Sequence, residues 1–140
     1  MLSGEGARRY GGRWNSPGRP AVYLGDSLAL AAMELLVHLG TTDVLGTYSK
    51  MPVYLPEELV MHIEAAELPI GWETASRKTT RAIGDRWLAE TRSAVLQVPS
   101  AVVPGETNFI LNPAHPDMRF VQAGPVSDFR FDERLRRQAR

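Results

Sequence analysis

Hydrophobic positions along the chain fall into two rhythms. Between Leu28 and Leu39 they are nearly continuous, broken by Glu34 and His38. Asp26 or Ser27 can cap the first turn of this stretch and Gly40 can close it, so a helix over 28–39 is expected. Its apolar residues occupy nearly every face, which predicts a buried helix. A second helix is expected over Ser76–Thr91, where Ile83, Trp87 and Leu88 share one face. The remaining apolar runs are short and favour strands: Ala21–Leu24, Val44–Leu55 with an interruption at Pro52, Leu59–Glu64, and Ser93–Val98. After Pro99-Ser100 a strand resumes at Ala101–Val103, followed by Asn108–Leu111, Arg119–Val121 and Phe129–Phe131. Turns are expected at Pro56–Glu58, Leu68–Trp72 and Asn112–Pro116. Residues 1–20 are rich in glycine and arginine and carry Pro17 and Pro20. An ordered loop without helix is expected there, because Tyr10 and Trp14 are costly to leave in water. Many short strands with two main helices predict an α+β fold, a single compact domain with mixed or antiparallel sheets.

Composition changes this picture in few places. The chain has 140 residues, enough for one domain with a core of its own. It has no cysteine, which excludes a disulfide framework and thiolate zinc sites. Sixteen basic residues balance sixteen acidic ones, so no bulk attraction to nucleic acid is expected. The local balance differs: Arg8, Arg9, Arg13 and Arg19 face only Glu5 in the first nineteen residues. The end of the chain is basic too, with a tail over 133–140 expected to fray. The longest apolar stretch is shorter than the ~20 residues of a membrane span. The start has neither a basic region nor an apolar core, so a soluble cytoplasmic protein is expected. His38, His62 and His115 lie far apart, and no metal site is expected. There is no Walker lysine loop, dinucleotide glycine fingerprint, zincin motif or nucleophile elbow.

The chemistry that remains is concentrated in about two dozen residues. Arg13 follows Gly11-Gly12 in a loop where backbone can approach a ligand closely. Trp14 and Asn15 follow it as candidate substrate contacts, although Trp14 could equally be a packed plug. Tyr23 lies on the short strand, and Glu34 lies mid-helix between Met33 and Leu35. A glutamate in such surroundings needs a partner or a cleft; His38, one turn on, is a purely structural candidate. Arginine binds phosphate through a fork of donors. Tyrosine offers a flat face to a planar ring, and a carboxylate steadies an oxocarbenium ion. The set suits a phosphate-bearing substrate whose glycosidic bond breaks through a cationic transition state.

The ordered set Gly11-Gly12-Arg13-Trp14-Asn15-Ser16-Pro17-Gly18, Val22-Tyr23-Leu24 and Ala32-Met33-Glu34-Leu35-Leu36 resembles the RES domain family. Leu68–Trp72, Ile83–Leu88, Val98–Ser100, Asn108–Pro113 and His115-Pro116 extend the likeness from about Gly4 to Leu135. The resemblance implies a single RES domain over 1–140, with a fold similar to that of ADP-ribosyltransferases. Family members usually have a first strand, with an aromatic–arginine pair, before the position where this chain starts. Such proteins are toxins of bacterial RES–Xre toxin–antitoxin pairs that consume NAD+. The resemblance therefore implies cleavage of the nicotinamide–ribose bond, with water, phosphate or a protein side chain as acceptor. Catalytic roles fall to Glu34, Arg13 and Tyr23, and substrate binding to Arg13, Tyr23, Ser100, Trp14 and Asn15, with Ser93 as the rival serine. Arg13 would hold the phosphates or the nicotinamide ribose, Tyr23 would stack on nicotinamide, and Glu34 would steady the ribosyl cation. Ser100 would position the ribose or Arg13. NAD+ is then a substrate and no cofactor is implied. The implied partners are NAD+ and a cognate Xre-like antitoxin, with no membrane, and with DNA reached only through the antitoxin. The alternatives are a non-catalytic nucleotide- or nucleic-acid-binding module and a pseudoenzyme that only binds an antitoxin. The helical carboxylate argues against the first, since it would repel a phosphate chain.

Overall fold

The computed structural model describes residues 2–39, 46–74 and 76–135. Gly40, Val44-Leu45 and the tail residues 136–140 lie outside the described residues, as do the helix stop, strand start and fraying tail expected there. The architecture is α+β, with three α-helices and eight strands among the described residues. The elements run α1 (Glu5–Tyr10), β1 (Val22–Gly25), α2 (Leu28–His38), β2 (Tyr48–Lys50), β3 (Val53–Tyr54) and β4 (Val60–His62). They continue with α3 (Lys78–Glu90), β5 (Val95–Pro99), β6 (Thr107–Leu111), β7 (Gln122–Ala123) and β8 (Ser127–Phe129).

The central sheet has the order β1-β6-β5-β4. β1–β6 and β6–β5 pair antiparallel, while β5–β4 is parallel. A parallel pair needs a crossover, and the segment that carries α3 supplies it. β2 pairs with β8 and β3 with β7 in two small antiparallel sheets. Successive side chains on a strand point to opposite faces, so the central sheet separates two apolar layers. Leu96, Val98, Ile110 and Ala21 join Trp14, Trp87, Leu88 and Leu68 on one side. Val95, Leu111 and Ala94 form the other layer with Val22, Leu24 and Phe109. Trp87, Leu96, Ile110 and Leu111 are almost fully buried.

Several elements differ from the sequence expectation, each for a local reason. Residues 5–10 are helical, contrary to the expected loop. Glu5 pairs with Arg8 and Arg9, three and four residues on, while Ala7 packs against the core. Helix α2 is not buried: Leu30 is its one buried residue, and Leu28, Met33 and Val37 are exposed at 47, 44 and 58%. The run expected from Val44 to Leu55 is divided around Met51-Pro52 into β2 and β3, which pair in different sheets. No strand resumes at Ala101–Val103, because the N–H groups of Val102 and Val103 donate to Ser100 Oγ instead of to a neighbouring strand. Arg119 and Phe120 belong to a 3-10 turn over Pro116–Phe120, not to a strand.

Candidate active site

The Gly11–Pro20 loop lies against the N-terminal half of α3. Arg81 Nε donates to Gly12 O at 2.8 Å, and Thr80 Oγ1 donates to Arg13 O at 2.5 Å. Asp85 accepts from Ser16 N–H at 2.8 Å and from Ser16 Oγ at 2.6 Å. Closest approach occurs at Gly84, where a Cβ would fall 1.7 Å from Trp14 O. Only a residue without a side chain lets the loop backbone reach the helix there.

Inside this loop, Asn15 is fully buried. Its Nδ2 donates to Ala7 O, Ser16 O and Arg19 O at 2.9, 3.2 and 3.0 Å. Its Oδ1 accepts the Tyr23 hydroxyl at 2.6 Å, and that hydroxyl accepts the Trp14 N–H at 3.0 Å. The Tyr23 ring passes under Gly12, where a Cβ would meet the phenol oxygen at 2.5 Å. Its hydroxyl is therefore sealed beneath the loop while 38% of the residue remains exposed. Burial of the hydroxyl pushes the phenol pKa up to about 12.

Arg13 extends from the loop toward the turn before α3. Its Nη1 donates to Trp72 O at 3.2 Å and to Thr74 O at 3.1 Å. Both Nη1 hydrogens are used, which leaves Nε and Nη2 for a ligand. Burial, followed by the charge of Arg77, lowers the pKa of Arg13, while Glu34, Glu73 and Tyr23 act in the opposite sense.

Glu34 projects from α2 toward the ends of β5 and β6. Ser100 Oγ donates to its Oε1 at 2.8 Å, and Asn108 Nδ2 donates to the same oxygen at 2.7 Å. Among the described residues Oε2 accepts no hydrogen bond. The sheet register explains how Asn108 arrives there. It pairs with Gly25 on β1 and with Val98 on β5, and lies on the same face as Tyr23 two residues up the neighbouring strand. Asn108 Oδ1 is buried and has no hydrogen-bond partner among the described residues, so the donation to Glu34 is what orients the amide.

These groups line one cleft of about 1270 Å³, which contains Arg13, Tyr23, Glu34, Arg77 and Asn108. No Arg13–Glu34 ion pair closes it among the described residues, so the cation and the carboxylate face a common space. Ala31 and Leu35 also line a second cleft of about 850 Å³, which shares Tyr23, Leu24 and Gly25 with the first. Of the exposed apolar residues of α2, Leu28 lines the second cleft and Val37 the first.

The expected site residues separate into two groups. Arg13, Tyr23 and Glu34 meet in the cleft. Asn15 does not line it, because every polar atom of its side chain is committed to folding the loop. Trp14 borders the cleft but is only 3% exposed, so its indole serves the core, stacked at a tilt on Trp72. Ser100 is buried behind Glu34, and its hydroxyl donates to that carboxylate rather than to Arg13. Ser93 is a structural residue, bridging Trp87 Nε1 and Val95 O. The Glu34–His38 pair does not form among the described residues, since the donors to Glu34 are Ser100 and Asn108. Asn108 and Arg77 escaped sequence reasoning. Asn108 reads as one polar residue at the start of a strand, and Arg77 as one charge in a polar run. No local signal marks Arg77, while Asn108 opens the Asn108–Pro113 run that carries part of the family resemblance.

The chain matches the model of the RES domain over residues 1–132. It belongs to the RES domain family. Within it, the chain is 38% identical over 142 residues to the Prs ADP-ribosylating toxin of Sphingobium sp. (strain YBL2), spanning 99% of this chain and 88% of the relative. It is also 60% identical over 35 residues to the NAD(+) phosphorylase MbcT of Mycobacterium tuberculosis (strain ATCC 25618 / H37Rv), 24% of this chain and 19% of that protein. Among solved structures, this RES domain is similar to a chain of the M. tuberculosis MbcT–MbcA toxin–antitoxin complex. The TM-score is 0.74 at 21% identity, covering 99% of this chain and 81% of the other, which places the two in one fold.

Proposed function

We propose that this chain is a RES toxin that cleaves the nicotinamide–ribose bond of NAD+. The observation that carries this reading is Glu34: two donors hold its Oε1 while Oε2 has no partner among the described residues, in the same cleft as Arg13 and the exposed ring of Tyr23. A carboxylate positioned in advance of the reaction stabilises positive charge on a ribosyl C1′ without reorganising. The C–N bond breaks with its electron pair leaving on neutral nicotinamide. The acceptor, water or phosphate or a protein side chain, then bonds to C1′ and loses a proton. Arg13, held rigid by two carbonyls, offers Nε and Nη2 to the phosphates or the ribose. Tyr23 supplies a ring face for nicotinamide, and Ser100 and Asn108 keep Glu34 aimed. NAD+ enters as substrate, and no other cofactor is needed for this chemistry. The names of the relatives, an ADP-ribosylating toxin and an NAD+ phosphorylase, support the same reaction class.

The test is incubation of the purified protein with NAD+, with and without phosphate, and mass analysis of the products. Release of free nicotinamide is the expected result. The accompanying species (ADP-ribose, its 1″-phosphate or a modified protein) identifies the acceptor. NAD+ that binds and stays intact would overturn the catalytic reading in favour of a pseudoenzyme.

The reading extends to a cytoplasmic protein held silent by an antitoxin, which we propose is Xre-like. No helix among the described residues is long and apolar enough to cross a membrane. Val37, exposed at 58%, borders the cleft and gives an apolar partner segment something to cover. Co-expression with the neighbouring gene product should give one complex on size exclusion and suppress NAD+ loss; separate elution with undiminished NAD+ loss would count against it.

A further inference from the structure

The cleft contains one cation that the reaction above does not use. Arg77, immediately before α3, is half-buried and lines the same cleft as Arg13. Among the described residues it has no carboxylate within ion-pair distance and makes no side-chain hydrogen bond. This is unusual for an arginine that loses solvent, since its planar fork is generally satisfied when buried. The other charges around it are placed differently. Arg81 is committed to Gly12 O, and Asp85 to Ser16. Glu73 borders the cleft but is exposed, and Glu34 is held by Ser100 and Asn108. Two guanidinium groups that share one cleft repel each other, while Glu34 and Glu73 act on Arg13 in the opposite sense. The mutual proximity is felt at Arg13, whose pKa falls in part because of Arg77.

We propose that Arg77 is a substrate-binding residue that, together with Arg13, clamps a diphosphate, and that it makes the site selective for a dinucleotide over a mononucleotide. The inference rests on the NAD+ reading and deepens it. A diphosphate carries about two negative charges and presents oxygens on two phosphorus atoms, which matches two forks better than one. Arg13 has Nε and Nη2 free, and Arg77 has its whole fork free. A substrate with a single phosphate needs only one of them. Arg77 therefore contributes to capture of the ADP half of the substrate, and the bond that breaks lies at the Glu34 end of the cleft. Substitution at Arg77 should raise KM and leave kcat nearly unchanged, because the contact is the same in the ground state and the transition state.

The experiment compares wild type, Arg77→Gln and Arg77→Lys. ADP-ribose binding is measured by calorimetry, and turnover is measured with NAD+ and with nicotinamide mononucleotide. Melting temperature confirms that each variant is folded. Arg77→Gln is expected to weaken ADP-ribose binding about 10- to 100-fold, the range for a lost hydrogen-bonded charge contact. Its kcat for NAD+ should stay within about threefold, and its preference for NAD+ over the mononucleotide should fall. Arg77→Lys should recover part of the affinity through charge alone. ADP-ribose binding within twofold of wild type in Arg77→Gln would overturn the clamp while leaving the NAD+ reading in place. A wild-type protein that neither binds ADP-ribose nor consumes NAD+ would overturn both.

Discussion

The two walls of the cleft are built in opposite ways. The loop wall, Gly11–Pro20, is bound to its surroundings by at least seven side-chain hydrogen bonds centred on Asn15, Ser16, Tyr23, Thr80 and Arg81. The helix wall, α2, holds its carboxylate in the cleft through two bonds to one oxygen, on a helix with a single buried residue. The difference separates stability from chemistry. Polar groups that are buried in the loop cannot be removed without leaving partners unsatisfied. Glu34 can lose its charge at no such cost, because a glutamine can still accept from Ser100 and Asn108. Damage to the loop wall should appear as lost stability, and damage to the helix wall as lost turnover.

The sharpest way to break this contrast is Gly84→Ala. Helix propensity alone favours alanine by about 1 kcal/mol. Here the new methyl would meet Trp14 O at 1.7 Å, so the loop has to leave α3. We expect a loss of more than about 3 kcal/mol, at the upper end of overpacking costs, read from urea unfolding. A variant as stable as wild type would mean that the loop is not held where the geometry puts it.

Next in size is Glu34→Gln. Turnover of NAD+ should fall at least ~100-fold, the scale of one preorganised electrostatic group. ADP-ribose affinity and melting temperature should match wild type. Full activity with a lowered melting temperature would make Glu34 a structural residue instead.

Tyr23→Phe tests the loop wall from its other side. Considered as a ring face alone, Tyr23 should tolerate phenylalanine. Removal of the hydroxyl, however, leaves Trp14 N–H and Asn15 Oδ1 without partners, and we expect about 2 kcal/mol of lost stability. The residual activity of the folded fraction should remain high, and Tyr23→Ala should abolish it. Undiminished stability in Tyr23→Phe would show that the hydroxyl does not secure the loop.

Asn108→Ala should cost about 10-fold in kcat with little change in stability, because one of two charge-assisted bonds that aim Glu34 is lost. An equal rise in KM with kcat intact would place Asn108 on the substrate rather than behind the carboxylate.

The smallest effect is on pH dependence. The Tyr23 phenol has a folded-state pKa of about 12, above the ~10 of an unfolded chain. A raised pKa means that the folded state keeps its proton while the unfolded state releases it. The corresponding stabilisation is complete below pH ~10 and is lost as the pH rises toward about 12. Wild type should therefore lose melting temperature more steeply than Tyr23→Phe across that window. Parallel slopes would show that the hydroxyl is not sealed.

What the chain determines by itself is local. The apolar run from Leu28, with Ser27 as N-cap, specifies α2, and Ser27 Oγ does accept the Leu30 N–H at 3.1 Å. The short β-branched runs specify β5 and β6, and Gly11-Gly12-Arg13 beside Tyr23 and Glu34 marks where chemistry is concentrated. Those features rest on spacing, capping and side-chain type, which are properties of neighbours in sequence. Other features depend on which elements meet. The Met51-Pro52 break became a switch between two sheets because β7 and β8, far along the chain, pair on either side of it. Burial of α2 could not be read from its composition, since whether an apolar helix is covered depends on what packs against it. Asn15 looked like a substrate contact and proved to be the hub of a fold, because its partners at Ala7, Arg19 and Tyr23 converge only when the loop closes. Asn108 reached Glu34, and Arg77 reached the cleft of Arg13, across 74 and 64 residues of chain. At those separations a hydrogen bond or a shared cavity leaves no local pattern, and sheet register and helix docking decide it.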